Sequence, residues 1–247
     1  MEKWPVDFNC DVGEGIGNEA ELFPFISSCN IACGGHAGDE TSIRDIIRLA
    51  NTHDVKIGAH PSYPDKENFG RKVMDIANNR LKQSLSMQLS IFHKISKELD
   101  IMVHHIKAHG ALYNKIAKDI DLAALFLEVV QQSDLPQRIY AQPGSEVARL
   151  AIARGIEVCY EAFADRNYNE DGSLVSRTHE NALISKPEHV LKHILPIIQK
   201  GKVATVSGKI IKMRTDTICV HGDTPTALQI LEYLSKELRK HNVVLSK

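Results

Sequence analysis

Polar side chains recur at every second position near the ends of several strand-like segments, and this pattern restricts the fold more than any other feature. Asp7, Asn9 and Asp11 form one such series, and His105, Lys107 and His109 form another. Alternate residues of a strand point to the same side of a sheet. One polar face per strand predicts a barrel whose polar side chains converge at the carboxyl ends of its strands. An open doubly wound sheet would instead concentrate such residues at one switch point.

Strand-like and helix-like segments alternate along the chain, which favours a parallel sheet. The predicted strands cover residues 6–12, 29–33, 55–60, 102–109, 138–142, 156–163 and 217–221. The predicted helices cover residues 42–53, 80–99, 122–130, 145–154, 188–199 and 226–238. Long polar loops are expected at residues 61–75 and 164–186, and a hairpin or short extra strands at 203–213. We predict an α/β fold, a (β/α) barrel of seven or eight parallel strands, in one domain over residues 1–247.

Composition excludes several classes of function. The 30 basic and 31 acidic residues give a net charge of −1, so no electrostatic argument favours nucleic acid or an anionic membrane. No apolar stretch is long enough to cross a bilayer, and the first residues do not resemble a signal peptide. The five cysteines are scattered and odd in number. We therefore expect a reduced cytoplasmic protein without a disulfide framework.

Two glycine-rich segments follow the first two predicted strands. The segment DFNCDVGEG, residues 7–15, presents Asn9 and Asp11 along a strand and then Glu14 after a turn. These groups could bind a cation or supply a general base, or they could form an Asx-rich turn. The segment NIACGGHAGD, residues 30–39, brings His36 to a turn where the backbone can approach a ligand closely. A purely structural turn explains this second segment equally well.

Basic side chains mark the next two predicted strand ends. His60 is followed by a proline that would hold it rigidly, and Arg71 could bind a carboxylate or phosphate through two hydrogen bonds. Lys107 inside a barrel needs an anionic partner, which Asp7, Glu161 or a substrate could supply. His109, which lies nearer the predicted mouth, can exchange protons near neutral pH.

The last two predicted strand ends carry acidic side chains beside basic ones. Asp165 and Arg166 begin the second long loop, and Arg177 and His179 on that loop could fold over the mouth. His221 and Asp223 follow the last strand, where we expect them to form an orienting pair.

Histidines, a lysine and carboxylates at a barrel mouth favour a hydrolase or a lyase. The sequence contains no G-x-S-x-G elbow, no H-E-x-x-H motif and neither of the common glycine-rich phosphate-binding motifs. Cys33 and Cys219 lie near histidines in the sequence but have no recognisable activating context.

Six short motifs together resemble the LamB/YcsF family across nearly the whole chain. They are DFNCDVGEG (7–15), SSCNIACGGHAGD (27–39), IGAHPSYPD with NFGRK (57–72), KAHGALYN (107–114), EAFADRNY with DGSLVSR (161–177), and CVHGD (219–223). The chain departs from the family pattern at Gly35, Lys72 and Ala108, where members often carry Phe, Arg and Pro. None of these departures removes an ionisable group.

The resemblance implies an irregular (β/α) barrel similar to the glycoside hydrolase/deacetylase class, with about seven strands. It also implies cytoplasmic opening of 5-oxo-L-proline to L-glutamate, with ATP as co-substrate that is hydrolysed to ADP and phosphate. Two companion subunits, B and C, would complete the complex. The missing phosphate-binding loop fits a division of labour in which the companions handle ATP partly or wholly.

The resemblance also suggests roles for the candidate residues. Asp11 or Glu14 would position or deprotonate water, and His36, His60 or His109 would protonate the ring nitrogen. A set of basic residues would hold substrate carboxylate and phosphate oxygens: Arg71, Lys107 and Arg166. Asn9 and Asp165 are further candidates for substrate binding.

Two other functions are compatible with the same residues. Asp11, His36 and His60 could hold a divalent metal ion in an amidohydrolase or deacetylase that acts alone. The chain could also be a non-catalytic subunit that binds or regulates its partners.

Overall fold

The computed structural model describes residues 3–246, and it contains a closed barrel of seven parallel strands. Residues 1, 2 and 247 of the predicted 1–247 domain lie outside the described residues. They include the acidic residue at position 2 on which the expectation of no signal peptide partly rests. The barrel strands are β2 (Phe8–Val12), β3 (Ser28–Ala32), β4 (Lys56–His60), β5 (Val103–Ile106), β6 (Arg138–Ala141), β7 (Glu157–Phe163) and β10 (Thr217–Val220). Their order around the barrel is β10-β2-β3-β4-β5-β6-β7, so the predicted barrel is confirmed.

Eight α-helices accompany these strands in the described part of the chain. They are α1 (Glu19–Leu22), α2 (Glu40–Thr52), α3 (Asn78–Glu98), α4 (Gly110–Ile116), α5 (Ile120–Gln132), α6 (Glu146–Ala153), α7 (Pro187–Lys200) and α8 (Ala227–Lys240). Side-chain caps fix three of the starts, at Asp39, Asp119 and Ser145. Short 3-10 helices cover Phe23–Phe25 and Glu180–Ala182.

The helices bury one apolar face each against the outside of the barrel. In α2, for example, Ile43, Ile46, Ile47 and Ala50 are buried on one side of the helix. The hydrophobic core therefore lies between barrel and helices. Within residues 3–246, no helix combines the length and apolar composition needed to cross a bilayer.

Two small sheets lie outside the barrel. The chain first forms β1 (Trp4–Val6), which pairs in parallel with β11 (Val243–Leu245). The prediction of one continuous strand over residues 6–12 is therefore wrong. Pro5 has no N–H to donate, so this segment suits an edge rather than an interior position of a barrel. The predicted hairpin at 203–213 is confirmed as antiparallel β8 (Lys202–Ala204) and β9 (Ile210–Lys212).

The predicted strand over residues 102–109 is too long. Strand β5 ends at Ile106, and α4 begins at Gly110, a helix that the sequence pattern did not predict. The residues between them still run alongside the neighbouring chain, because Lys107 N donates to Ala59 O at 2.9 Å and His109 N donates to Pro61 O at 2.9 Å. This irregular extension carries Lys107 and His109 toward the mouth of the barrel.

One glycine is required by the packing inside the barrel. A Cβ atom at Gly58 would overlap the imidazole of His105 on the neighbouring strand. We expect Gly58→Ala to lower the free energy of unfolding by about 1–3 kcal/mol, the usual cost of overpacking. Chemical denaturation of Gly58→Ala, His105→Ala and the double variant checks the cause. The double variant should lose less stability than the sum of the two single variants, and additive losses would contradict the steric explanation.

Candidate active site at the barrel mouth

The barrel interior is polar from its base upward. At the base, the Asp7 carboxylate accepts hydrogen bonds from Thr217 Oγ1 at 2.6 Å and Ser28 Oγ at 3.1 Å. Tyr140 OH donates to Ser28 Oγ at 3.2 Å. Lys56 Nζ lies 3.8 Å from the second Asp7 oxygen. Asp7 therefore belongs to the base of the barrel and is not a partner of Lys107, one of the two protein partners that the sequence left open.

A chain of amides connects this base to the site. Asn9 Nδ2 donates to Thr217 Oγ1 at 2.9 Å, and Asn30 Nδ2 donates to Asn9 Oδ1 and Asp11 Oδ1, each at 2.8 Å. His105 Nε2 donates to Asn30 Oδ1 at 2.7 Å. Asn9 and Asn30 are completely buried, so Asn9 orients Asp11 through Asn30 and does not line the cavity.

Lys107 is the buried cation above these amides. Its Nζ lies 2.9 Å from Asp11 Oδ1 and 2.8 Å from Glu161 Oε1. Burial raises the pKa of Asp11, but Lys107 and nearby histidines outweigh burial and hold that pKa well below its usual range. Burial lowers the pKa of Lys107, and the surrounding anions outweigh it and raise that pKa. Lys107 is therefore charged at neutral pH.

Two histidines face each other across the site with their protons turned away. His60 Nδ1 lies 2.8 Å from the carbonyl oxygen of Lys107, and His109 Nε2 lies 3.0 Å from that of Phe69. A carbonyl oxygen can only accept a hydrogen bond, so each of these nitrogens is the protonated one. The other two nitrogens, His60 Nε2 and His109 Nδ1, are 3.0 Å apart. In neutral rings, both of these nitrogens carry lone pairs.

Glu14 and His36 complete this group from the turns after β2 and β3. Glu14 Oε1 lies 3.3 Å from His109 Nδ1 and accepts a hydrogen bond from His36 Nε2 at 3.0 Å. The His36 ring stacks on His109 with centroids 3.6 Å apart. Burial lowers the pKa of His36 to about 2, so this ring is neutral. Burial and the nearby Asp11 raise the pKa of Glu14 well above its usual range.

The loop after β4 presents its backbone to these rings. Phe69 has a φ of 55°, a left-handed conformation that is unusual for a bulky residue. Its carbonyl accepts the proton of His109 Nε2, and its ring contacts the rings of His36 and His109 edge to face. The strained backbone, which costs of order 1–3 kcal/mol, is held by these contacts.

His221 is oriented by Asp165 and not by Asp223. His221 Nδ1 donates to Asp165 Oδ1 at 2.9 Å, and Thr224 Oγ1 donates to Asp165 Oδ2 at 3.0 Å. These donors outweigh burial and lower the pKa of Asp165 to about 2. The predicted His221–Asp223 pair is wrong, because Asp223 accepts a hydrogen bond from Arg71 at 2.5 Å. The chain turns at Gly222, where a Cβ atom would overlap the Asp11 carbonyl, and this turn carries Asp223 out to the rim.

A cavity of about 470 Å³ opens above these groups. The predicted site residues that line it are Asp11, His60, Arg71, Lys107, His109, Arg166 and His221. Residues 173–178 form one wall, which includes Arg177, so part of the second long loop does reach the mouth. Arg166 Nη2 donates to Val175 O at 2.6 Å and thereby supports this wall. Burial and the nearby Arg177 lower the pKa of Arg166 to about 10, so Arg166 is charged at neutral pH.

The remaining predicted site residues lie behind or beside the cavity. They are Asn9, Glu14, His36, Asp165 and Asp223. The predicted metal set Asp11, His36 and His60 is not assembled among the described residues. Asp11 and His60 are instead grouped with Glu14 and His109, with one ligand atom of each within 4.8 Å of all the others. Stacking of His36 on His109 places His36 behind this group.

The predicted set of site residues omits Glu161. Glu161 is 1% exposed and contacts Lys107, so one of the two protein partners predicted for that lysine is confirmed. Its position two residues before Phe163, the last residue of β7, was the available signal. All five cysteines of the described chain are free, and Cys33 and Cys219 are buried. Burial raises the pKa of Cys33 to about 12 and that of Cys219 well above its usual range.

The chain is similar to known proteins over nearly its whole length. Residues 6–247 match the LamB/YcsF family. The chain is 38% identical over 241 residues to the 5-oxoprolinase A subunit of Histophilus somni (strain 129Pt), with 98% of each chain covered. It is 37% identical over 243 residues to the protein of that name in Pyrococcus horikoshii, covering 96% of this chain and 95% of the relative.

Solved structures agree with the barrel. The crystal structure of a lactam utilization protein from Thermus thermophilus superposes with a TM-score of 0.90 at 32% identity, covering 98% of each chain. A family 4 carbohydrate esterase from Streptomyces lividans superposes with a TM-score of 0.51 at 8% identity, covering 99% of this chain and 92% of the esterase. The likeness to the esterase concerns the fold alone.

The Lys107 network generates a prediction about stability. In Lys107→Met, Asp11 and Glu161 lose their shared cation, so the free energy of unfolding should fall by about 3–5 kcal/mol at neutral pH. The loss should shrink as pH falls, because the variant's two carboxylates can then be protonated. Urea denaturation at several pH values measures this difference. Lys56→Met, which removes a half-exposed partner of Asp7, is the matched control and should cost less than about 1 kcal/mol. Equal losses in the two variants would contradict this role of the Lys107 charge.

Proposed function

The chain belongs to the LamB/YcsF family, and on that basis we propose that it is the A subunit of an ATP-dependent 5-oxoprolinase. The reaction opens 5-oxo-L-proline to L-glutamate and is coupled to hydrolysis of ATP to ADP and phosphate. Relatives that carry this name match over at least 95% of their length. The structural observation that carries the proposal is a cavity with proton-transferring side chains at its floor and cationic side chains around it.

The charges around the cavity suit an anionic substrate. Arg71, Arg166, Arg177 and Lys118 line its walls, in addition to Lys107 at the floor. Arginine binds carboxylate and phosphate oxygens through paired hydrogen bonds. The substrate carries one carboxylate, and phosphorylation of its lactam oxygen would add further negative charge. We propose that Arg166 and Arg177 bind these oxygens, while Arg71 is paired with Asp223.

The chemistry of the lactam explains the need for ATP. In a five-membered lactam the amine and the carbonyl carbon are tethered, so ring closure is favoured by a high effective molarity. Phosphoryl transfer from ATP to the lactam oxygen would release ADP and make the ring carbon a better electrophile. Water can then attack that carbon, and the C–N bond breaks as the ring nitrogen accepts a proton, which leaves an acyl phosphate. A second water would hydrolyse the acyl phosphate to the carboxylate of L-glutamate and free phosphate.

We assign proton transfer to His221. Asp165 holds the proton on Nδ1, so Nε2 is the nitrogen left to take a proton from water and return it to the ring nitrogen. Asp165 is then a positioning residue and not a substrate-binding residue. Asp11, whose carboxylate lines the cavity beside Lys107, would orient the attacking water.

The companion subunits and ATP belong to the same proposal. We propose that companion subunits B and C bind ATP wholly or in part, because the sequence contains no phosphate-binding loop of the common kinds. We propose a cytoplasmic complex, as the resemblance to the family implies. The pairing of Glu14 and Asp11 with two histidines keeps a second candidate open, a metal-dependent amidohydrolase that acts without ATP.

Reconstitution distinguishes these functions. Glutamate release from 5-oxoproline would be measured for the chain alone and with both companion subunits, each with and without ATP. The proposal predicts release only from the complete mixture with ATP. Release by the chain alone without ATP would establish the amidohydrolase. A mixture that stays fully active with Asp11→Asn and His221→Gln variants would show a non-catalytic role for this chain.

The Asp165–His221 pair generates a second prediction. Asp165→Asn should lower kcat about 10²–10⁴-fold with little change in KM, because an amide would stabilise the wrong imidazole tautomer. Thr224→Val is the matched control, since it removes a neighbouring hydrogen bond but keeps the Asp165 charge. Steady-state kinetics of the reconstituted complex over a range of pH would measure both. A loss confined to KM, or equal effects of the two variants, would contradict the assigned role.

A further inference from the structure

Asp11, His60 and His109 at the cavity floor, with Glu14 beside them, form an arrangement that hydrogen bonds between neutral imidazole rings do not explain. His60 Nε2 and His109 Nδ1 are 3.0 Å apart, while the opposite nitrogen of each ring donates to a backbone carbonyl. When both rings are neutral, the two facing nitrogens each carry a lone pair, and neither ring supplies a proton to the contact. Asp11 Oδ2 lies 3.5 Å from His60 Nε2, and Glu14 Oε1 lies 3.3 Å from His109 Nδ1. Four electron donors thus converge on one point.

We propose that these four residues, Asp11, Glu14, His60 and His109, form a binding site for one divalent transition-metal ion of the zinc type. Two imidazole nitrogens with carboxylate oxygens form a ligand set that such ions accept. Ligands of a tetrahedral zinc ion, each about 2.0–2.2 Å from the metal, lie roughly 3.3–3.5 Å from one another. The contacts of 3.0, 3.3 and 3.5 Å among the four side chains are close to that spacing.

The residues around the four ligands match what metal sites require. Histidine ligands usually donate their second N–H to a carbonyl or carboxylate, which fixes the ring. The Lys107 and Phe69 carbonyls accept those protons here. Ligating carboxylates are also hydrogen-bonded from behind. His36 Nε2 donates to Glu14, and Lys107 Nζ contacts the Asp11 oxygen that faces away from His60.

A second group of potential ligands, Asp11, Cys219 and His221, is less suited to a cation. Lys107 Nζ lies 3.3 Å from Cys219 Sγ and 2.9 Å from Asp11 Oδ1, so an ammonium group already occupies that side. The charge of Lys107 would repel a metal ion. The two sites also share Asp11, which turns its other oxygen, Oδ2, toward His60.

The proposed ion would lie at the cavity floor, because Asp11, His60 and His109 line the cavity. A metal ion there can polarise a carbonyl oxygen or activate a water molecule. Binding of such an ion to the isolated chain does not depend on the identity of the substrate. Metal binding can therefore fail while the proposed lactam-opening activity holds, and the reverse.

The test uses full-length, tag-free protein treated with EDTA and then dialysed. Isothermal titration with Zn²⁺ and visible absorption with Co²⁺ should each show one ion per chain, and Zn²⁺ should raise the melting temperature. His109→Phe keeps a ring against His36 but removes both nitrogens. Glu14→Gln keeps an acceptor for His36 but removes the charge. Each variant should bind at least about 100-fold more weakly, which exceeds the usual effect of an outer contact.

Control variants exclude other sources of binding. His189→Gln removes an exposed histidine on α7, and Cys159→Ser removes the one partly exposed cysteine in the described chain. Cys219→Ala tests the second group of ligands. All three should bind as the wild type does, and circular dichroism should show each variant folded. Absence of Zn²⁺ and Co²⁺ binding by the wild type, or unchanged binding by both ligand variants, would overturn the proposal. The two imidazoles would then share a proton in place of an ion.

Discussion

The buried ammonium group of Lys107 is the interaction on which the rest of the structure depends. It neutralises carboxylates from two different strands, Asp11 on β2 and Glu161 on β7, at a depth where an unpaired charge is very costly. Its carbonyl also accepts the proton of His60, so one residue fixes both a charge balance and a ring orientation. Any change in the relative position of these strands would break several of these contacts together. The contacts of Lys107 therefore stabilise both the site and the arrangement of the strands.

The polar interior distinguishes this barrel from one filled by aliphatic side chains. In the usual parallel barrel, layers of branched apolar residues fill the centre. Here hydrogen-bonded side chains rise from Asp7 at the base through Asn9 and Asn30 to Asp11. Each buried polar side chain in this series has a partner, and a satisfied network of this kind favours one arrangement of the strands over others. The apolar core between barrel and helices stabilises the fold. The hydrogen-bonded side chains inside the barrel hold the residues at the mouth in fixed orientations.

The sequence predicted the barrel because two of its signals are local. Alternation of polar residues indicates the inner face of a strand, and the succession of strands and helices indicates parallel pairing. Which strands are neighbours is not a local property. Asp165 meets His221 because β7 and β10 lie side by side, although 56 residues separate the two in the sequence. Asp223, only two residues from His221, is carried away by the turn at Gly222. For the same reason, the sequence pattern predicted that His36 would group with Asp11 and His60. In the structure, Glu14 and His109 group with them instead.

The strained conformation of Phe69 gives its loop a role that reaches beyond shape. The Phe69 carbonyl decides on which nitrogen His109 carries its proton, yet that carbonyl belongs to a connecting loop and not to the barrel. If the loop moved away, the proton of His109 could shift from Nε2 to Nδ1. The lone pair would then be on Nε2, the nitrogen on the side of the loop, and not on the nitrogen that faces His60. The position of the loop and the position of the proton on His109 would therefore change together. A molecule that binds at the mouth and shifts the loop would change which nitrogen of His109 is protonated, without contacting the residues at the cavity floor.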